Sequence, residues 1–224
     1  GRGDDELAGW DVVAKLDISK SRTRWAHDYV LHPALLREIP SQARSLMDFG
    51  AGRGEFMQFL SSRVNGELVG YDPSRGMREV ALRRGLHLVD DLARLRDRSF
   101  DCIVSNMTLS AIHEAGQALR ELRDLLHPEG IAILTVPHPC FALLRTLHTT
   151  TKREVESQEY LGASIPVELD WLSGYRQGSS EKLTWDGLGA TTPLYNRSLD
   201  EWVRLLEEAG LRLETIREPY PVGG

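Results

Sequence analysis

The sequence has few lysines, few cysteines and no long apolar run. Four of its 27 basic residues are lysines, and its formal net charge of −6 is opposite to the basic balance of most nucleic-acid-binding proteins. No apolar stretch reaches the roughly 18 residues that a membrane-spanning helix needs. The two cysteines, Cys102 and Cys140, fit no metal or redox spacing. These absences favour a cytoplasmic chain that binds neither nucleic acid nor membrane, and we expect no metal site.

The composition is that of an ordinary globular chain, with 41% hydrophobic and 27% charged residues in 224. We expect one domain over residues 1–224. Residues 1–45 form an N-terminal helical cap in this prediction, although the first nine are polar, rich in glycine and expected to be frayed. Residues 138–195 show weak periodicity and scattered aromatic side chains, which indicates an insert that covers the substrate.

Between these two regions, predicted strands and helices alternate. The predicted strands are 46–49, 67–72, 86–91, 100–105 and 131–136, and the predicted helices are 54–63, 73–85 and 116–126. Such alternation predicts an α/β fold with a doubly wound, mostly parallel sheet, helices on both faces and an insert after the fifth strand. A helix at 198–209 and a strand at 211–216 are predicted to follow the insert.

The stretch LMDFGAGRGEFMQFL, residues 46–60, joins the first strand to the first helix of this sheet. Gly50, Gly52 and Gly54 stand at every second position, so a ligand can approach the backbone there, and the helix that follows offers unpaired N–H groups. Asp48 precedes the glycines, where an acid suits a cationic ligand better than a pyrophosphate. The spacing also differs from the Gly-x-Gly-x-x-Gly of dinucleotide folds.

Acids also end the next two predicted strands. Asp72 lies 22 residues after Gly50 and can accept hydrogen bonds from both hydroxyls of a ribose. Asp90 and Asp91 end the third strand, where a carboxylate can accept from an adenine amino group. A glycine loop followed by an acid at the next strand end is shared by nicotinamide-dependent enzymes and methyltransferases, and the position of Asp48 favours the second.

In their order, these motifs resemble those of the class I S-adenosylmethionine-dependent methyltransferases, in particular the group that acts on small molecules. The segments that carry the resemblance are LMDFGAGRGEF, LVGYDPSRGMREVA, LVDDLARL, FDCIVSNMTLSAIHE, ELRDLLHPEGIAILTVPHPCF and YNRSLDEWVRLLEEAGLRLETIREPYP. They cover about residues 24–136 and 195–221. The resemblance implies S-adenosyl-L-methionine as cofactor and S-adenosyl-L-homocysteine as product.

The resemblance also implies which residues hold this cofactor. The backbone of Gly50, Ala51 and Gly52 would pass close to the methionine moiety, with Asp48 near its ammonium group. Asp72 would hold the ribose hydroxyls. The other residues implied at the cofactor are Pro73 and Ser74 beside the adenine, Asp90 or Asp91 with Leu92 around it, Asn106 near the methionine part and Tyr29 over the carboxylate. The family's usual seventh strand is expected to be missing or displaced.

Two histidines are candidates for proton transfer. His113 follows the fourth predicted strand and His138 the fifth, and histidine titrates near neutral pH. Either could take a proton from the acceptor, or simply form part of the pocket wall. The aromatic residues that could line an acceptor pocket, or else form a small core of the insert, are Tyr160, Trp171, Tyr175, Trp185 and Tyr195. Arg197 could bind an acidic acceptor, although the sequence favours a side chain that is exposed to solvent.

The sequence thus predicts methyl transfer to an O, N or C atom of a small molecule such as a secondary metabolite, by a monomer or homodimer. Two alternatives stay open. One is a protein that binds S-adenosylmethionine without methylating, as a cyclase or a noncatalytic partner. The other is an RNA or protein methyltransferase, although residues 105–108 read Ser-Asn-Met-Thr rather than the Asn-Pro-Pro-Tyr type of such enzymes.

Overall fold

The computed structural model describes residues 2–16, 22–139, 156–160, 163–167, 179–185 and 190–219. Its helices are α1 (Arg2–Val13), α2 (Arg22–Ala26), α3 (His32–Glu38), α4 (Glu55–Leu60), α5 (Arg75–Arg83), α6 (Ala115–Leu125) and α7 (Leu199–Glu208). A π-helical turn, His27–Leu31, joins α2 to α3, and 3-10 turns cover Leu92–Leu95 and Leu109–Ala111. Within these ranges no helix is both long and apolar enough to cross a bilayer.

The strands are β1 (Ser45–Phe49), β2 (Glu67–Tyr71), β3 (Leu88–Val89), β4 (Phe100–Asn106), β5 (Leu126–Thr135), β6 (Glu156–Tyr160), β7 (Ala163–Val167), β8 (Ser179–Trp185) and β9 (Ala190–Asn196). The first five form a parallel sheet in the order β3-β2-β1-β4-β5. The order reverses between β1 and β4, and ligands of open parallel sheets bind beyond the carboxyl ends of the strands at such a point. The predicted α/β fold with a doubly wound parallel sheet is confirmed, whereas the insert after the fifth strand stays a prediction.

Side chains of the central strands alternate between two apolar clusters, one on each face of the sheet. Leu46 and Cys102 belong to the cluster under α3 and α4, whereas Met47 and Ile103 belong to the cluster under α6 and α7. Both faces are therefore dry, which explains why these strands read as continuous apolar runs. The helices α3 and α4 cover one face and α6 and α7 cover the other, which leaves the carboxyl edge of the sheet to the loops.

The described parts of the region after β5 form two antiparallel hairpins, β6–β7 and β8–β9. The second hairpin packs against α1: the Trp10 and Trp185 rings meet edge to face at 6.3 Å. Gly9 lies so close to β9 that a Cβ there would stand 2.0 Å from the carbonyl oxygen of Thr191. The role of residues 138–195 as a substrate cover stays a prediction.

Two local expectations were wrong. Residues 1–9 were expected to fray, but most of them form α1, because the helix packs against β9 and α5. Residues 211–216 form no strand, and Leu213 and Ile216 are exposed, so this segment has no buried face to pair.

Candidate active site

The glycine loop leaves β1 at the topological switch point. Gly50, Gly52 and Gly54 all adopt positive φ, at 78°, 55° and 77°. The amides of Gly50 and Ala51 both donate to the carbonyl of Tyr71, at 2.8 and 2.9 Å, which ties the loop to the end of β2. The conformation requires glycine because other L-residues rarely adopt it.

Two of these glycines differ in what surrounds them. A Cβ at Gly50 would stand 2.2 Å from the methyl group of Thr108, whose hydroxyl also donates to the Gly50 carbonyl at 3.2 Å. A Cβ at Gly52 would meet no described atom within 4 Å. Gly50 is therefore required by packing inside the protein. Gly52 instead borders open space, where a ligand can reach the backbone.

Asp48 is buried one residue before the loop begins. Its Oδ2 atom is buried and has no hydrogen-bond partner in the described part of the chain. Burial first, and then the charge of Asp72, raises the pKa of Asp48 to about 7. A buried carboxylate without a cation or donors is costly, so this group is suited to receive a positively charged ligand.

Asp72 stands at the end of β2, directly across from the loop. Its two carboxylate oxygens accept from the amides of Gly52, at 2.8 Å, and Ser74, at 2.9 Å. Burial raises its pKa to about 6, while these two amides and the charge of Arg78 act in the opposite direction. Each oxygen keeps a second lone pair, so the pair can also accept from two neighbouring hydroxyls.

Ser74 and Pro73 begin α5. Ser74 is buried and caps the helix by accepting from the Met77 amide at 3.2 Å. Pro73 is exposed, and its carbonyl accepts from the guanidinium of Arg78 at 2.7 Å. Both residues therefore follow Asp72 at the same edge of the sheet.

The two acids after β3 are exposed. Asp90 forms an ion pair with Arg94 at 3.4 Å, and Asp91 caps the 3-10 turn by accepting from the Ala93 amide at 2.9 Å. Leu92 is partly buried against the apolar cluster under α6. Asp91 therefore has a local structural role, and either acid stays accessible to a ligand.

Asn106 ends β4 within a polar chain that the sequence reasoning missed. Its Oδ1 atom accepts from the Thr135 hydroxyl at 2.8 Å, and its amide nitrogen lies 3.4 Å from Nδ1 of His27. Burial lowers the pKa of His27, so the imidazole is neutral near pH 7 and can accept this bond. The next residue, Met107, has a φ of 60°, an uncommon value for a non-glycine residue.

Tyr29 follows His27 in the π-helical turn but is 56% exposed. Its ring packs on Trp25, with centroids 5.7 Å apart. The side chain that reaches the end of β4 from this turn is instead that of His27. Nothing in the local sequence distinguishes the two, since the turn's irregular hydrogen bonding decides which side chain faces the sheet.

The two candidate histidines have separate surroundings. His113 is half exposed, bonded to Glu114 at 2.7 Å, and packs edge to face on Tyr195 at 5.2 Å. His138 is 2.8 Å from Glu218 of the C-terminal segment. Both follow the carboxyl ends of their strands, as expected from the sequence. No described contact joins them.

The predicted acceptor residues are only partly described. Trp185 is partly buried and donates to the Thr192 hydroxyl at 2.9 Å, and Tyr195 packs on His113. Only the backbone of Tyr160 is described, in β6. Trp171 and Tyr175 lie outside the described residues. The two side chains that can be placed thus stand at opposite ends of β8–β9.

Arg197 was expected to be solvated, but it is buried. Its guanidinium donates to the carbonyls of Ile112, at 2.8 Å, and His113, at 2.7 Å, and lies over the rings of Tyr195 and Trp202. Arg197 therefore joins the end of β9 to the loop that carries His113. These backbone partners are about 85 residues away in sequence, so no sequence pattern indicates them.

Comparison with known proteins gives the family. The family described as "Methyltransferase domain" matches residues 21–216. An S-adenosylmethionine-dependent methyltransferase from Mesorhizobium loti has a similar structure, with a TM-score of 0.58 at 21% identity, over 82% of this chain and 81% of that one. At this identity the likeness concerns the fold.

Two curated relatives are also similar. An uncharacterized protein of Haemophilus influenzae is 25% identical over 207 residues, which are 86% of this chain and 77% of that protein. A human mitochondrial arginine-hydroxylase is 25% identical over 101 residues, which are 43% of this chain and 29% of that protein.

The family match spans most of the chain, and the sheet is parallel and doubly wound, as predicted. The chain therefore belongs to this methyltransferase family. The prediction of a class I, S-adenosylmethionine-dependent methyltransferase is confirmed, and the predicted cofactor, S-adenosyl-L-methionine, agrees with this family and fold.

Proposed function

We propose that this chain transfers the methyl group of S-adenosylmethionine to an O, N or C atom of a small molecule. The observation that carries the proposal is the buried Oδ2 of Asp48, which lacks a partner among the described residues. The open space at Gly52 adjoins the same loop. A ligand with an ammonium and a sulfonium group supplies the positive charge that such a carboxylate needs.

The residues present fit this cofactor. Asp48 would face the ammonium group, and the backbone of Gly50, Ala51 and Gly52 would lie along the methionine moiety. Asp72 would accept from the two ribose hydroxyls through the lone pairs that its backbone donors leave free. The residues assigned to the adenine are Pro73, Ser74, Asp90 or Asp91, and Leu92, with Asn106 near the methionine part and Tyr29 in the cap above.

When bound, the cofactor supplies the electrophilic methyl group, so the protein mainly positions the two reactants and excludes water. His113 or His138 would accept the proton that the acceptor loses. His113 is the better placed of the two for an acceptor held at Tyr195, because their rings are in contact. His138 lies 2.8 Å from the carboxylate of Glu218, which would hold the imidazole in place.

A small acceptor is supported by charge and by the site's wall. The net charge of −6 disfavours a polyanionic acceptor. Tyr195 and His113 offer an aromatic face of the size that small ligands use. An RNA acceptor would instead require tight, salt-sensitive binding of tRNA, which a filter-binding assay at two salt concentrations would reveal. The cytoplasmic location and the monomeric or dimeric state stay predictions.

A second candidate function is a protein that binds the cofactor without transferring its methyl group, since a relative that matches 43% of this chain is named as a hydroxylase and not as a methyltransferase. The two candidates share the cofactor site and differ in the product. Formation of S-adenosylhomocysteine in the presence of candidate acceptors supports methyl transfer. Tight cofactor binding with no product across a broad acceptor panel supports the second candidate.

Calorimetric binding of S-adenosylmethionine to the wild type and to Asp72→Ala tests the site. We expect micromolar binding that weakens by about 1–3 kcal/mol in the variant, because the ribose hydroxyls lose their acceptors. Asp97→Asn is the control, since this carboxylate is 93% exposed and its removal changes the net charge equally. An intact wild type that fails to bind would overturn the proposal.

A further inference from the structure

The N-terminal helix contacts the residues next to Asp72 through one carboxylate. Oδ1 of Asp11, on α1, accepts from the Ser74 hydroxyl at 2.6 Å and from the Gly76 amide at 2.8 Å. The Ser74 amide in turn donates to Asp72. A continuous chain of hydrogen bonds therefore runs from α1 to the acid at the end of β2.

The close approach of α1 to α5 is built into the sequence. A Cβ at Gly76 would stand 2.7 Å from the Cα atom of Asp11, so a larger residue there would push the helix away. On the other side, Nη1 of Arg53 donates to the carbonyl of Leu16 at 2.6 Å. The helix and the turn that follows it are thus held against both α5 and the glycine loop.

Asp11 also fixes the orientation of the Ser74 hydroxyl. That hydroxyl donates its proton to Asp11 and accepts from the Met77 amide, so both of its functions are committed. Without Asp11 the proton would turn to another acceptor, and the Gly76 amide at the first turn of α5 would lose its partner. The turn from Asp72 to Gly76 would then be less well defined.

We propose that Asp11 is a positioning residue for the cofactor: through Ser74 and Gly76 it fixes the turn that presents the Asp72 carboxylate to the ribose. The inference rests on the proposed function, since it assigns a ligand to Asp72. It makes α1 a part of the cofactor site, in addition to its packing against the β8–β9 hairpin.

The charges around Asp72 give this role a measurable signature. Asp11 on α1 and Arg78 on α5 act on Asp72 with opposite effects, the first raising and the second lowering its pKa. Asp48 on β1 and the Tyr71 hydroxyl also interact with it. Removal of the Asp11 charge lowers the pKa of Asp72 in any variant, whereas a loosened turn would weaken the Ser74 and Gly52 amide bonds to Asp72 and would raise this pKa.

The experiment compares the full-length wild type with Asp11→Ala, Asp11→Asn and the surface control Asp97→Asn. S-adenosylhomocysteine is the probe, titrated calorimetrically at about pH 8, where aspartates with pKa values near 6 and 7 are ionised. The second readout is the titration of the Asp72 carboxyl carbon by NMR in the unliganded protein, assigned with Asp72→Asn. Thermal unfolding of each variant shows whether it is folded.

We expect Asp11→Ala to weaken probe binding about tenfold, or ~1.4 kcal/mol. Asp11→Asn keeps an acceptor oxygen and should stay within about threefold of the wild type. Asp11→Asn should titrate Asp72 at a lower pH than the wild type, Asp11→Ala should titrate it at a higher pH than Asp11→Asn, and the control should change neither readout. If Asp11→Ala does not fold, Asp11→Asn decides, because an unchanged Asp72 titration in that variant would show that Asp11 does not act on Asp72 and would overturn the inference.

Two results separate the failure of this inference from that of the proposed function. If the wild type binds the probe and Asp11→Ala binds it equally well, Asp11 has no positioning role. A weaker Asp11→Ala variant that titrates Asp72 at the same pH as Asp11→Asn would also overturn the inference, because it would show that the turn at Asp72 is undisturbed. If a folded wild type does not bind the probe, the result contradicts the proposed function itself.

Discussion

Asp48 and Asp72 end neighbouring strands, and the charge on Asp72 contributes to raising the pKa of Asp48 to about 7, with burial as the larger cause. Burial also raises the pKa of Asp72, to about 6. Near neutral pH the two carboxylates of the unliganded site are therefore partly protonated. They would release this proton to the solvent when a cation binds. This property gives the cofactor site a signature that does not depend on knowing the acceptor.

Cofactor binding at about pH 6.5 should release protons, because a bound cation favours the ionised form of Asp48. The binding enthalpy should consequently differ between phosphate and Tris buffers, which have different ionisation enthalpies. At this pH we expect Asp48 to release roughly half a proton or more for each cofactor bound. At about pH 8.5 the release should be smaller, because Asp48 is already ionised.

The matched variant for this measurement is Asp48→Asn, which keeps the shape and removes the titration. Its binding should be weaker, with a smaller dependence on the buffer. Proton release that persists unchanged in Asp48→Asn would assign the proton to another group and would argue against a cation at this carboxylate.

The free energy of unfolding of the unliganded protein should change with pH because of Asp48, and the raised pKa sets the direction of the change. Its pKa is higher in the folded chain than its ordinary value of 3.8, so the folded state binds the proton more tightly than the unfolded state. This contribution is fully present below about pH 4 and is lost as the pH rises through about 7. At pH ~8, Asp48→Asn should therefore be more stable than the wild type by roughly 1–4 kcal/mol.

Urea unfolding across this pH range measures the effect, and the difference between wild type and variant isolates Asp48. His32 acts in the opposite direction, because burial lowers its pKa to about 4 and its contribution is lost as the pH falls from 6.5. Both proteins retain His32, so this term cancels. A stability difference that does not grow with pH would contradict the prediction.

Gly50→Ala and Gly52→Ala should separate packing from ligand binding. Both variants carry the backbone cost of positive φ, on the order of 1 kcal/mol. Gly50→Ala also collides with Thr108 and should lose a further ~1–3 kcal/mol of stability. Gly52→Ala meets no described atom within 4 Å, so it should stay folded yet bind S-adenosylhomocysteine at least about tenfold more weakly.

Unfolding curves and calorimetry on the same preparations test this contrast. Equal losses of stability in the two variants would show that Thr108 moves aside without cost. Unchanged binding in Gly52→Ala would show that the open space at this position is not where the ligand lies.

Arg197→Met should destabilise the protein by roughly 2–4 kcal/mol, because two well-placed backbone carbonyls lose their donor in a buried setting. Arg197→Lys should recover part of this loss, since lysine keeps the charge but offers fewer donors in a fixed plane. The control is Arg204→Met, an exposed partner of Glu208, which should change stability by less than about 0.5 kcal/mol. Urea unfolding measures all three, and equal effects of Arg197→Met and Arg204→Met would contradict the buried role.

Much of the fold could be predicted because the strands and helices of the sheet leave local signals. The glycine loop, the acids at the strand ends and the apolar alternation all depend on residues close in sequence. The first turns of α1 could not be predicted, since they are stabilised by contacts with β9 and α5 rather than by their own pattern.

The residues of the candidate site also fall into those that the sequence could predict and those that it could not. Asp48 and Asp72 could be placed because each ends a strand. His27 and Arg197 could not, because their partners, Asn106 and the carbonyls of the loop before α6, are about 80 residues away along the chain. Side-chain direction in an irregular turn, such as the one that carries Tyr29 and His27, is also decided only by tertiary packing.

The contact between α1 and the β8–β9 hairpin joins two segments from opposite ends of the sequence. Gly9 lies directly against the backbone at Thr191, and the Trp10 ring packs on Trp185. In a chimera of two relatives, these segments would have to be exchanged together, since either one alone would meet a surface shaped for another partner. An engineered change of acceptor that draws on the hairpin is therefore expected to require the first helix of the same donor.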